Sequence, residues 1–316
     1  MQELPHRKPG DRLVRTSGVA PRHLRRVLGV SALYSAGYGN VGSSIYYALG
    51  IVALVAMGAT PIVLFVAGLL FVCTALTYSE GATMFPEAGG SASFARHAFN
   101  EHVGFIAGWA LLLSYIVTIS ISAFTISPYL GYFWEPLKTD PWLGTTVSIG
   151  LVLFLMVLNV FGARETALIN IGAAVLDIAT QGLLVIIGLV LLLSPGIVEF
   201  SVGQLLDNMF GGGNWPTITN LVFGIALASL AYTGVETVSQ MSEETRLPQI
   251  RVPKAMFMMM FTVLIMFSGI SIVGLSAMSP QELATDWARD PVAGIANAFP
   301  FPWLRAVFEP LVAILA

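Results

Sequence analysis

Three places in this chain combine polar chemistry with an apolar setting. The first is Gly37-Tyr38-Gly39-Asn40-Val41-Gly42-Ser43-Ser44, the middle of the apolar run over residues 27–58. Glycine is unfavourable in a helix interior, and Asn and Ser side chains compete with the backbone ladder. The run therefore reads as two half-helices with an unwound joint at residues 37–44. Backbone left unpaired at bilayer depth is tolerated only where it faces protein or a watery cavity. A half-helix N-terminus there suits an anion such as a carboxylate, and the carbonyls before the joint suit an ammonium or a metal cation. The second place is Tyr232-Thr233-Gly234 with Glu236 close behind, again inside an apolar run loosened by Gly224 and Ser229. A carboxylate in a membrane span costs about 2.5–3.5 kcal/mol on insertion scales, so Glu236 needs a partner, a cavity, or broken-helix amides to cap. The third is Asp177 with Gln181, one helical turn apart and therefore on one face of a fifth apolar run. Asp177 reads as a proton-accepting group or a cation ligand; the plainer alternative is a helix–helix hydrogen bond. Tyr115, in the third span with Ser114, Thr118, Ser120 and Ser122, is a further candidate to face the site. Small polar residues of that kind also permit close helix packing.

These residues must be positioned by membrane helices. The 316-residue chain is 56% hydrophobic and 10% charged, with mean hydropathy +0.79; soluble domains carry roughly 25% charged residues. Long unbroken apolar runs favour α-helices over a barrel, whose strands would alternate. After the broken first span, helices are expected at about 61–84, 103–131, 142–162, 167–193, 217–241 and 253–277, with an eighth beginning near Pro302. About a dozen residues are too few to complete that eighth crossing, so a longer working form is expected. Residues 1–26 read as a cytoplasmic basic tail and 27–316 as the transmembrane domain. With the N-terminus inside, twelve of the 15 Lys and Arg fall on the inner side and only Lys138, Arg289 and Arg305 on the outer. That asymmetry predicts an N-in topology; the plasma membrane is the expected location. The tail reads as topogenic or lipid-facing rather than nucleic-acid-binding.

The outer segment 194–216 has a triple glycine, Gly211–Gly213, that reads as a hinge. The outer segment 278–301 opens with Ser279 as N-cap, Pro280 at the first turn and Glu282 at the capping-box position. It reads as a lid or as a plain connector. Cys73 is the lone cysteine, and His6, His23, His97 and His102 lack metal-ligand spacing, so no disulfide framework or metal site is expected. Paired catalytic groups at one depth, the mark of an intramembrane enzyme, do not emerge.

Five elements in order give the chain a resemblance to the amino acid–polyamine–organocation (APC) family of transporters. They are Gly42-Ser43-Ser44-Ile45-Tyr46; Tyr78-Ser79-Glu80 with Pro86-Glu87-Ala88-Gly89-Gly90; Gly104-Phe105-Ile106-Ala107-Gly108-Trp109; Ala231-Tyr232-Thr233-Gly234-Val235-Glu236; and Glu243-Glu244, Pro248, Arg251 and Pro253. The resemblance implies an all-α LeuT-like bundle: an inverted five-helix repeat with helices 1 and 6 broken and the second repeat incomplete. It implies secondary transport of amino acids or related small amines, with H⁺ or Na⁺ as coupling ion, or exchange, and no cofactor. It places a substrate carboxylate at the amides of Ser43 and Ser44, beside Gly42. The amine would lie at carbonyls near Asn40, Leu230 and Thr233, with Tyr232 as gate or pocket wall. Asp177, Glu236 and Tyr115 remain coupling or gating candidates. The chain departs from the family pattern at Ser44, where a glycine is usual, and at Tyr46, where phenylalanine is usual. The crowding at Ser44 and the acidic pair Asp177 and Glu236 keep an inorganic or organic cation carrier on the same fold as the alternative. No oligomeric state is read from the sequence.

Overall fold

A computed structural model describes residues 26–160, 163–194 and 200–316. The basic tail before residue 26 and Arg164 lie outside the side chains it describes. The helices are α1 (Val30–Gly42), α2 (Ile45–Ala56), α3 (Thr60–Met84), α4 (Ser91–Ala98), α5 (Glu101–Leu130), α6 (Pro136–Thr139), α7 (Pro141–Val160) and α8 (Ala163–Leu193). They continue with α9 (Val202–Phe210), α10 (Ile218–Ala231), α11 (Val235–Gln240), α12 (Pro248–Ala277), α13 (Pro280–Thr285), α14 (Pro291–Asn297) and α15 (Pro302–Leu315). Among the described residues the only β pairing is the isolated bridge between Leu28 and Thr245.

Among the described residues, six helical stretches are long and apolar enough to cross a bilayer. The first, Val30–Met84, is 55 residues long. At 1.5 Å per residue that is roughly 80 Å, against a hydrocarbon core of ~30 Å. It therefore holds two crossings. They part at the 3₁₀ turn Met57–Ala59, where Met57 takes a left-handed φ of 47°. The chain is thus an all-α polytopic membrane protein. α5 and α7 keep many large apolar side chains on the outside, among them Phe105, Trp109, Phe124, Ile149 and Leu153. In a bilayer that surface meets lipid or further helices.

The buried centre is built from α1, α2, α3, α8, α10, α11 and α12. Its organising feature is the pairing of the first and sixth spans. Residues 28, 37, 41 and 56 of one meet residues 245, 238, 234 and 224 of the other. One set rises as the other falls, so the two spans lie side by side and antiparallel. At one end the chain before α1 is clasped to the loop after α11. Val27 and Leu28 donate to the Glu244 carbonyl, Arg246 N–H donates to Leu28, and the Arg246 guanidinium donates to Arg26. At the other end α2 packs against α13 and α14. There Gly50 lies so close to Ala288 that a Cβ would come within 2.4 Å of its carbonyl oxygen. The capping box of Ser279 and Glu282 forms as expected, since it depends only on neighbours in sequence. Gly212 and Gly213 both take positive φ in the turn after α9.

Candidate functional site

The break in the first span is much shorter than the glycine pattern predicts, and the expectation of an unwound stretch over 37–44 is corrected here. Helix α1 runs unbroken through Gly42, and only Ser43 and Ser44 separate it from α2. Both serines have 3₁₀-like angles, −66°/−20° and −63°/−23°. The reason is packing. Gly37 is a contact surface: a Cβ there would lie 2.5 Å from Val238 and 2.7 Å from the Met259 sulfur. Gly42 presses on the Tyr38 ring, with a Cβ distance of 2.6 Å. The serine hydroxyls bond back into their own helix, Ser43 Oγ to Gly39 O (2.7 Å) and Ser44 Oγ to Asn40 O (3.4 Å). Burial of a helical surface outweighs the ~1 kcal/mol that each glycine forfeits.

The backbone contacts implied for a cargo change accordingly. The Ser44 amide donates to Val41 O (3.1 Å), and Ser44 O accepts from Tyr47 and Ala48. The Leu230 carbonyl accepts both the amide (3.3 Å) and the hydroxyl (2.9 Å) of Thr233, and the Leu230 side chain points outward. In this conformation those groups are occupied by the protein itself.

The sixth span does open. Between α10 and α11, Tyr232, Thr233 and Gly234 leave the helix, and Gly234 takes φ +126°. Glu236 Oε2 accepts the Gly234 amide at 3.0 Å, so this buried carboxylate caps the second half-helix. Gly224 and Ser229, by contrast, lie in regular helix. The two breaks touch. A Cβ on Gly234 would come within 2.9 Å of both Asn40 and Val41, and Asn40 Nδ2 donates to Thr237 Oγ1 at 2.8 Å. Asn40, Gly42, Ser43 and Ser44 are thereby brought to the level of Tyr232, Thr233 and Glu236. An open cavity of about 330 Å³ lies beside the sixth-span break. Its wall includes Thr74, Tyr78, Leu111, Tyr232, Thr233 and Glu236. Tyr232 is a wall residue with a fixed hydroxyl, donating to Leu64 O at 2.9 Å, while its ring packs on Phe71 and Phe267. Tyr115 reaches toward this region from α5, near Tyr78, Glu236, Thr237 and Gln240. Its hydroxyl is shut off from solvent without a hydrogen-bond partner among the described residues.

Asp177 forms a separate centre. Its Oδ1 accepts from Tyr46 (2.5 Å), and its Oδ2 accepts from Tyr38 (2.9 Å) and from Gln181 Nε2 (2.8 Å). Three donors and no cation surround it among the described residues. Tyr38 belongs to α1 and Tyr46 to α2, so one carboxylate of α8 holds both arms of the broken first span. On the α2 side the chain of contacts continues: the Tyr46 carbonyl accepts from Tyr129 Oη (2.7 Å), and that hydroxyl in turn accepts the Val292 amide (3.3 Å) at the start of α14. On the α1 side, Tyr34 stacks on Tyr38 and donates to Thr262. Tyr34 also lines a cavity of about 330 Å³ that carries Lys254. Tyr38, Thr237 and Tyr129 were not singled out from sequence. The unusual Tyr46 was the one available signal, since a buried phenol needs a partner. No group of three or more metal-ligating side chains occurs among the described residues.

The model of the amino acid permease family matches residues 28–316. This chain belongs to that family. The family is one of permeases, not enzymes. Relatives include the glutamate/serine transporter AimA of Bacillus subtilis (strain 168), 26% identical over 90% of this chain and 54% of that protein. The vacuolar cationic amino acid transporter 4 of Arabidopsis thaliana is 26% identical over 87% of this chain and 47% of its own length. The branched-chain amino acid permease BcaP of Lactococcus lactis is 26% identical over 90% and 61%. The chain thus spans about half the length of the curated relatives it matches.

Proposed function

We propose that this protein is a secondary transporter moving amino acids or related small amines across the plasma membrane by alternating access, with its N-terminus cytoplasmic. The carrying observation is that two membrane spans break at the same level, in contact, beside a cavity: Gly234 against Asn40, with Thr233 and Glu236 on the wall. Breaks of this kind are tolerated at membrane depth where they serve a site. The antiparallel register of the two spans supports a LeuT-like inverted repeat. Tyr115, with its unspent buried hydroxyl, supplies a polar contact for a cargo. The site as it stands is a closed arrangement, in which a substrate carboxylate takes over the Ser44 amide from Val41 and an amine takes over the carbonyls now held by Thr233. Coupling to H⁺ or Na⁺, or exchange, runs through Asp177 and Glu236.

The test is uptake in proteoliposomes with the full-length protein, at two pH values, with and without sodium, against a panel of unlabelled amino acids. Asn40→Ala and Gly42→Leu are expected to abolish uptake while leaving membrane insertion intact. Retained uptake in both variants removes the paired breaks as the site. The occupied Ser44 amide favours a second reading, a carrier of inorganic or organic cations that uses Glu236 and Asp177. Thermal stabilisation by K⁺, Na⁺ or amines but not by amino acids decides for it.

A further inference from the structure

The segment between α12 and α15, a lid or a connector by sequence, is gripped along residues 287–292. On one face α2 supports it: Gly50 lies against the Ala288 carbonyl, and Trp287 packs back on Gly294 of α14. On the other face α5 and α6 hold it. Lys138 Nζ lies 2.6 Å from Asp290 Oδ2 and 5.1 Å from the centroid of the Trp287 ring. Arg289 lies over the Phe124 ring, 5.4 Å from its centroid. The Tyr129 hydroxyl accepts the Val292 amide while donating to Tyr46 O. Lys138 is itself pinned to α5, since a Cβ on Gly131 would come within 2.8 Å of the Lys138 Cβ. The two joints differ in kind. Against α2 the stretch meets close-packed main chain. Against α5 and α6 it makes polar contacts whose partners water can replace.

Asp290 decides how firmly the second joint is held. Its side chain is 5% exposed, whereas that of Lys138 is 45% exposed. Among the described residues Lys138 is its one ion-pair partner. The neighbouring Arg289 and, from α5, Tyr129 are the other titratable groups that act on it. From α15, Glu309 lines the same cavity of about 150 Å³ and accepts from Asn297, while Arg305 donates to Phe299 O. Glu135 and Asp140 flank α6 and Asp286 precedes the stretch, all three negative, and Glu282 of α13 is taken by its capping box. α2 carries no charged residue, and those of α12, Arg251 and Lys254, lie in its first turns at the Leu28 end. A covered carboxylate is tolerated while a cation matches it or a proton neutralises it; alone, it is driven into water. Burial accordingly pushes the Asp290 carboxyl above its ordinary value, with Lys138 opposing the rise. We infer that residues 287–292 form a proton-sensitive gate on the α2 side of the paired breaks, shut while Lys138 or a proton neutralises Asp290 and open when the ionised carboxylate passes into water. The inference rests on the alternating-access reading above. Because the shut form binds the proton more tightly, acid favours it and rising pH favours opening.

The experiment places spin labels on either side of the joint, at Thr139→Cys of α6 and Thr285→Cys of α13, both exposed, in the full-length protein with Cys73→Ala. Electron–electron double resonance reads their separation. Near pH 8, Lys138→Met is expected to raise the ratio of separated to closed molecules about tenfold, because it leaves the covered carboxylate unmatched. Near pH 5 the ratio is expected to return toward that of the wild type. Asp290→Asn keeps the shape of the side chain without its charge, and is expected to stay closed at both pH values, with or without Lys138→Met. A distance distribution unmoved by Lys138→Met overturns the proposal. So does equal opening by Lys138→Met in the Asp290→Asn background, which assigns Lys138 a packing role only. Joining the two introduced thiols with a short bis-methanethiosulfonate is expected to abolish uptake, and reduction to restore it; undiminished uptake by the linked protein overturns the gate. A wild type that carries no amino acid removes the transport reading alone, since the distance comparison needs no substrate and still decides the gate.

Discussion

Tyr46→Phe removes one oxygen atom from the core and leaves the ring in place. The edge-on contact of that ring with Tyr129, with centroids 5.5 Å apart and planes at 86°, is kept. What is lost is the donor to Asp177 Oδ1. Hydrogen bonds to charged groups contribute about 1.5–3 kcal/mol, and a buried acceptor left bare costs a similar amount. The two carboxylate oxygens are not equivalent. Oδ2 has two donors, Tyr38 and Gln181, whereas Oδ1 has Tyr46. Tyr46→Phe should therefore cost about 2 kcal/mol. Tyr38→Phe, which leaves Oδ2 with Gln181, should cost about 1 kcal/mol. Equilibrium unfolding in mixed micelles, followed by the fluorescence of the six tryptophans, reads both. The decisive comparison is a double-mutant cycle with Asp177→Asn, whose amide offers only one acceptor. In that background Tyr46→Phe should cost less by about 1–2 kcal/mol. Costs that simply add, within ~0.3 kcal/mol, would show that the phenol and the carboxylate are neighbours without being partners.

Four further outcomes are expected. Asp177→Asn should flatten the pH profile of uptake in proteoliposomes; a profile superimposable on the wild type returns this carboxylate to a purely structural role. Gly234→Ala should lower the unfolding free energy by about 1–3 kcal/mol, because φ is +126° and the new Cβ meets Asn40 and Val41 at 2.9 Å; an unchanged midpoint contradicts the register of the two breaks. Gly50→Val should drive the Ala288 backbone away and raise hydrogen exchange over residues 286–298, since the carbonyl 2.4 Å from the new Cβ belongs to main chain and cannot rotate aside. Burial pushes the Asp290 carboxyl above its ordinary value of 3.8, and Lys138 opposes the rise. The folded state then holds more protons than the unfolded one above pH 3.8, so this group's contribution to stability falls as pH rises through that window. Lys138→Met should extend the fall to higher pH, which unfolding midpoints across a pH series will show.

Much of the helical frame was legible because it rests on local chemistry. Sequence predicts spans at 61–84 and 103–131, and α3 and α5 occupy Thr60–Met84 and Glu101–Leu130. Length and hydropathy suffice for that. Ser279 and Glu282 were legible because a capping box is closed within four residues. The sixth-span break was marked by Gly234, whose φ suits no other residue type well. The first-span break was overestimated because the same glycines serve a different purpose there. A glycine that admits Val238 and Met259 looks, in sequence, like one that unwinds a helix. The partners of Asp177 were hidden by distance along the chain: Tyr38 is 139 residues away and Tyr46 131. Only the helix packing brings them together.

Two groups that are costly to bury explain one another. A carboxylate in the middle of a membrane helix is costly, and a phenol in place of phenylalanine brings a buried hydroxyl that must be satisfied. Tyr46 and Asp177 meet each other's requirement at 2.5 Å. Tyr38 completes the arrangement from the other arm, so the carboxylate spans the Ser43–Ser44 turn as a clamp. The α1 arm is also anchored through Leu28 to the chain at Glu244 and Arg246. The α2 arm is anchored through Tyr129 to Val292. With both ends fixed to different parts of the molecule, α1 cannot swing relative to α2 while both phenols stay on Asp177. A motion that opens one end alone must release the phenol of that arm and leave the other bound. Because Oδ2 keeps Gln181 as a donor, release of Tyr38 costs less than release of Tyr46, and α1 is held to the carboxylate less firmly than α2.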